Sequence, residues 1–177
     1  METGELCRLF STLLSYPSSG YADEARRCLE VTRTARPEAA TAMAAFADFV
    51  VASPPDRLEE LYTAAFDLEP ACCPYAGHHL FADPCKRSMM LVRLRQAYGE
   101  LGFSTGQELP DHVALLVEIL PQLDDEARQE MKELVLGPAM EKMAEGLRKA
   151  GNPYEGLLRA ARLAVAASLP TNPAPPV

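Results

Sequence analysis

The side chains best suited to chemistry fall in three places along the chain. Cys72, Cys73, His78, His79 and Cys85 bring thiols and imidazoles into one short stretch. Thiolate and imidazole are good ligands for zinc or an iron–sulfur cluster, and the thiolate is also the reactive form in redox sensing. The spacing lacks the paired C-x₂-C pattern of a strong metal site, and neighbours such as Cys72 and Cys73 point different ways. A partly buried loop of small and aromatic residues accounts for the same side chains without a metal. The second set is Glu108-Leu109-Pro110-Asp111-His112, followed by Glu118. Proline at a helix start places Asp111 and His112 in the first turn, where unpaired amide protons favour negative charge. Asp111, Leu115 and Glu118 then stand at i, i+4 and i+7 on one face. Two carboxylates on one stripe suit an arginine-bearing peptide through charge-assisted hydrogen bonds. A solvated acidic face is the simpler account of the same spacing. The third set is Tyr62, Phe66 and Asp67: the period assigns the first two to the core, and Asp67 either caps a helix or lines a groove.

Enzyme signatures are missing. There is no glycine-rich phosphate loop, paired-histidine zinc helix or nucleophile elbow. Three histidines leave few general bases. His112 with Asp111 would form an acid–base pair, but no nucleophile or cofactor site accompanies them. The expectation is a binding protein without catalytic residues or a cofactor of its own.

Composition narrows the partners. Acidic residues outnumber basic ones, 25 to 17, for a formal charge of -8. Phosphate binding needs clustered Lys and Arg, so no nucleic acid is expected. A basic peptide suits this surface better, although the same charge also serves plain solubility. Met1–Glu5 carries no basic region ahead of its apolar residues, so no secretory signal is expected. Runs such as 42–47 and 113–117 are too short to span a bilayer. The five cysteines are an odd number in a chain long enough to need no stapling, which points to a reducing cytoplasm.

The elements that must position these residues are helical throughout. A hydrophobic fraction of 48% over 177 residues fits one globular domain. Leu6, Leu9, Phe10, Leu13 and Leu14 follow helical spacing up to Pro17. Ala25, Cys28, Leu29 and Thr32 mark a second helix. Pro37 opens a third, with Met43, Phe46, Ala47 and Val50 inward. Ser53-Pro54-Pro55-Asp56 reads as a cap for a fourth, carrying Leu58, Leu61, Tyr62, Ala65 and Phe66 and stopped by Pro70. Residues 69–83 form an irregular loop. Asp83-Pro84 begins a long fifth helix with Leu91, Leu94, Tyr98 and Leu101 inward, closed by Gly102. Pro110 opens a sixth with Val113, Leu116, Val117 and Leu120. Asp124 caps a seventh, interrupted at Gly137-Pro138 before Met140, Met143, Ala144 and Leu147. Asn152-Pro153-Tyr154-Glu155 caps the last, lined by Leu157, Leu158, Ala161 and Val165. No stretch alternates with period two. The expected fold is all-α: a single-domain helical bundle of about seven to nine helices over residues 1–169. From Pro170 the chain holds four prolines in eight residues and is expected to be a disordered tail.

The ordered motifs resemble a known family. Tyr62-Thr63-Ala64-Ala65-Phe66-Asp67 resembles the Y-x-x-x-F-D motif of nitrate reductase delta subunits, within the redox-enzyme maturation chaperones of the NarJ, TorD and DmsD type. Cys72-Cys73-Pro74-Tyr75 takes the place of that family's Pro-Tyr loop. Residues 86–103, with R-x-R-Q-A-Y-x-x-x-G-F, resemble its following helix. Glu108–His112 is similar to its E-L-P-D-H motif, and Asn152-Pro153-Tyr154 resembles a late Pro-Tyr motif. The resemblance spans about residues 5–165 in order. It implies an all-helical cytoplasmic chaperone, not an enzyme. Such a chaperone binds the N-terminal segment, often a twin-arginine leader, of a molybdenum-containing catalytic subunit until the molybdenum cofactor and iron–sulfur clusters are inserted. By position it implies a peptide-binding region at Pro110, Asp111 and His112, with Tyr62, Phe66, Asp67 and Tyr75 as neighbours; Glu118 is added from the helical face. The Cys-Cys and His-His loop departs from the family pattern, and a metal-binding or redox-sensing helical protein is the alternative it supports. Monomer and homodimer both stay open.

Overall fold

The computed structural model describes residues 2–166, so the proline-rich tail expected from Pro170 lies outside the described residues. Among the described residues ten α-helices, whose apolar residues recur every three or four positions, follow in order: α1 (Glu2–Leu13), α2 (Tyr21–Ala35), α3 (Pro37–Ala52), α4 (Pro55–Tyr62), α5 (Ala76–Leu80), α6 (Pro84–Glu100), α7 (Val113–Ile119), α8 (Asp125–Glu130), α9 (Gly137–Ala150) and α10 (Tyr154–Ala166). The all-α expectation holds. Among the described residues the only β pairing is a single bridge, Tyr75 to His112. No helix among them is long and apolar enough to cross a membrane.

The bundle is built by α1 packing on α2 and α7, α2 on α3, α3 on α10, and α10 on α9. Helix α7 runs through the middle, with Val113, Ala114, Leu116, Val117 and Ile119 all buried. Its near-continuous apolar sequence is what an interior helix requires. An aromatic cluster joins the layers: Tyr154 lies 5.3 Å from Phe46, 5.8 Å from Tyr62 and 5.3 Å from Phe66, ring centre to ring centre. Asp124 Oδ1 accepts from the Ala127 amide at 2.8 Å and Asn152 Oδ1 from the Tyr154 amide at 3.0 Å, so both caps stand as the sequence suggests.

Several local expectations are corrected. Ser53 does not cap α4. Its hydroxyl donates back to the Phe49 carbonyl at 2.8 Å and closes α3, while Pro54 precedes α4 and Pro55 takes its first turn. Gly137-Pro138 does not interrupt the seventh helix. Residues Met131–Leu136 form a π turn that leads straight into α9. A proline's ring collides with the carbonyl four residues back, and a widened turn removes that collision. The widening brings the Lys132 carbonyl to 3.0 Å from where a Cβ on Gly137 would stand. A second π turn, Thr63–Asp67, extends α4 and carries the Phe66-Asp67 pair. In α6 only Leu94 and Tyr98 are buried, while Leu101 is exposed and Leu91 half-buried. The helix therefore lies on the bundle instead of inside it.

Candidate functional site

The Glu108–His112 segment is tied to the Pro74–Gly77 turn and to α6. The Ala76 amide donates to the Asp111 carbonyl at 2.8 Å, and the Val113 amide to the Pro74 carbonyl at 2.9 Å. Tyr98 of α6 donates its hydroxyl to the Pro110 carbonyl at 2.8 Å. The Asp111 side chain is fully buried. Its Oδ2 accepts from the Gly77 amide at 3.2 Å and from Arg87 Nε at 3.1 Å. Arg87 reaches over the Tyr75 ring, 5.8 Å from its centre, and the Tyr75 hydroxyl donates to Glu108 Oε2 at 2.9 Å. Burial, helped by that glutamate, pushes the Tyr75 phenol up to about 12.

Helix α7 begins three residues later than expected. Pro110 does not open it, and Asp111 is not in its first turn; His112 is the cap, with Nδ1 accepting from the Ala114 amide at 3.2 Å. Asp111 lies in the turn that the His112 amide closes on the Leu109 carbonyl, just ahead of the His112 bridge to Tyr75, so it does not share a helical face with Glu118. Glu118 instead accepts from Ser11 Oγ of α1 at 2.9 Å. Tyr62 and Phe66 are core residues beneath the surface; Tyr62 donates its hydroxyl to the Leu14 carbonyl at 3.2 Å. Asp67 is exposed, and its charge, with those of Glu108 and Asp111, acts on His112. Asp67 and Glu108 are thus two exposed carboxylates close enough to His112 for their charge to act on it, an acidic rim to this segment. Exposed Leu68 and Leu109 stand next to them in sequence.

Burial holds the His112 imidazole below its ordinary value of 6.5, against the opposing pull of Glu108, Asp111 and Asp67. Its cap also requires an unprotonated Nδ1. The unfolded chain takes up this proton near 6.5 and the folded chain only at lower pH. The contribution to stability is therefore complete above 6.5 and is lost as pH falls through the window beneath it. His79 is shifted in the same direction by burial. The melting temperature should fall on acidification from about pH 7.5 to 5.5. His112→Asn, which keeps a capping side chain but does not titrate, should flatten that slope. An unchanged slope would remove His112 as its source.

The cysteine–histidine set is not brought together as metal ligands. Cys72 is buried beneath α9, its Sγ 2.9 Å from where a Cβ on Gly146 would stand, and burial pushes its thiol up to about 11. His79 Nε2 donates to the Cys73 carbonyl at 2.7 Å, and the His79 carbonyl accepts from Lys142 Nζ at 2.7 Å, pinning α5 to α9. Cys85 and His78 are exposed. Among the described residues no three His, Cys, Asp or Glu side chains are placed to hold a metal ion.

What the sequence left unread is a groove of about 650 Å³ between α6 and the Leu123–Val135 segment. Met89 and Met90 form one wall and Met131, Leu134 and Val135 the other. Lys86 and Arg93 stand on the α6 side and Glu130 on the opposite side. Met89 and Leu134 are 59% and 62% exposed. Unbranched methionines adapt to varied apolar partners, whereas Met140 and Met143 are wholly in the core. The signal was present in Met89-Met90-Leu91-Val92, an apolar run that goes round the helix and exceeds any one buried stripe.

Fold and site together describe an all-helical protein that presents an apolar surface groove along α6 and, at the Glu108–His112 segment, a buried carboxylate paired with Arg87 of the same helix. The family model described as nitrate reductase delta subunit matches residues 33–159, and the chain belongs to that family. Among curated proteins none matches it.

Proposed function

We propose that this protein is a cytoplasmic maturation chaperone. It holds the N-terminal segment of the catalytic subunit of a nitrate reductase-type molybdoenzyme while that subunit receives its molybdenum cofactor and iron–sulfur clusters. Membership of the delta subunit family carries this reading, and the methionine-lined groove supports it. An amphipathic client helix lays its apolar stripe between α6 and the Leu123–Val135 segment, as in helix-in-groove recognition. Asp67 and Glu108 steer the client's basic residues toward Asp111, while Tyr75, Pro110 and His112 fix the rim from below and Tyr62 and Phe66 support Asp67. Apolar burial supplies most of the affinity and the carboxylates set orientation. The protein binds and releases; it does no chemistry itself.

The test is affinity capture from the anaerobically grown native host. Wild-type protein should recover one large molybdoenzyme subunit. Met89→Glu combined with Leu134→Glu should reduce that recovery at least about tenfold, the effect of losing roughly 1.4 kcal/mol, with folding intact because both residues are largely exposed. No molybdoenzyme subunit on the wild-type protein would overturn the chaperone reading. Equal capture by both proteins would move the client off the groove.

A further inference from the structure

We propose that Asp111 is a receptor for a guanidinium and that Arg87 is its resident, displaceable occupant, so that a client arginine binds by taking the place of Arg87. This rests on the client-binding reading above and names the recognition step at that site.

A carboxylate as buried as Asp111 requires a cation or several strong donors. Its present hold is only half made. Arg87 reaches one oxygen through Nε alone, whereas the best arginine–carboxylate pairs are bidentate. The other oxygen, Oδ1, is buried and has no hydrogen-bond partner among the described residues. A second geometry, with two parallel hydrogen bonds, is open to a guanidinium that approaches less constrained than one tethered to α6.

Arg87 is the lid over this carboxylate: its side chain is 28% exposed where that of Asp111 is 0% exposed. Swinging outward returns its head to water. It leaves behind the Tyr75 ring, a face on which another guanidinium stacks equally well. The backbone packs closely around this pair. A Cβ on Gly77 would stand 2.8 Å from Asp111 Oδ2 and 2.9 Å from Arg87 Cγ, so glycine there keeps the space clear. Asp67 and Glu108 concentrate incoming arginines at the rim. The planar fork selects arginine over lysine. Because Arg87 belongs to α6, its release also frees the first turns of the helix that forms one wall of the groove.

The experiment uses the full chain carrying Arg87→Ala, with Arg87→Gln as the milder variant should the first fold poorly. Ethylguanidinium or N-acetyl-arginine amide at millimolar concentration should raise the melting temperature of the variant and leave wild type unmoved. The lysine counterpart should do nothing, and Asp111→Asn in the same background should abolish the response. A designed amphipathic peptide with two arginines should bind Arg87→Ala at least tenfold more tightly than wild type, and its two-lysine version should lose that gain. An equal guanidinium response in variant and wild type overturns the proposal, as does tighter peptide binding that survives Asp111→Asn. Guanidinium rescue together with no molybdoenzyme subunit captured by wild type would leave the receptor standing and remove the chaperone reading alone.

Discussion

Asp111→Ala should lose about 3 kcal/mol of folding stability, near the lower figure for removing one partner of a buried ion pair because Arg87 is partly in water. Two groups are stranded by the change. Arg87 loses the charge that holds it against Tyr75, and the buried Gly77 amide loses its acceptor. For a chain of this size the melting temperature should fall by about 6–12 °C. Asp111→Asn keeps an acceptor for Gly77 and should cost only about 1–2 kcal/mol. Urea unfolding of the three proteins decides the matter, and a loss under about 1 kcal/mol in the alanine variant would show that the pair carries little. The ordering matters for function too. The alanine variant confounds folding with recognition, so a binding loss is interpretable only in the asparagine variant.

Tyr154→Ala should be more severe, at about 3–5 kcal/mol, the range for truncating a fully buried aromatic side chain. Tyr154 is the hub on which Phe46, Tyr62 and Phe66 converge, so its removal opens a cavity that three elements line. Tyr154→Phe should be close to neutral. The hydroxyl makes no well-formed hydrogen bond, and its neighbour Tyr21 gives its own proton to the Leu13 carbonyl. Denaturant titration of both variants provides the check; a phenylalanine variant as damaged as the alanine one would mean that the hydroxyl is engaged after all. Because the cluster underlies the π turn that carries Asp67, the alanine variant should also capture less client than the phenylalanine variant.

Most helices were legible because their apolar residues recur every three or four positions and their ends carry capping residues. Leu6–Leu14, Met43–Val50 and Met140–Leu147 read correctly from periodicity alone. Tyr62 and Phe66 read as core for the same reason, and core they are. Asp111 was misplaced because proline at a helix start is a local rule, whereas Asp111 answers to Gly77 and Arg87, residues remote in sequence. No spacing within Glu108–Glu118 encodes a partner on α6. The π turns were hidden for a related cause: Gly137-Pro138 signals a break, and only the surrounding packing decides that the helix widens and continues. The groove was missed because it belongs to two segments that neither periodicity nor capping joins.

The single bridge between Tyr75 and His112 also sets how the molecule comes apart. It closes a neck, and everything from Ala76 to Asp111, including α6, is an excursion from that neck back to it. Within it α5 is pinned to α9, but α6 buries only Leu94 and Tyr98, so α6 can open as a separate cooperative unit while α1, α2, α3, α7, α9 and α10 stay packed. In hydrogen exchange such a unit shows a protection plateau of its own, below that of α7 and α10. The wall of the groove thus belongs to the part of the chain that yields first, and a surface that must fit a client and later let it go is best built there.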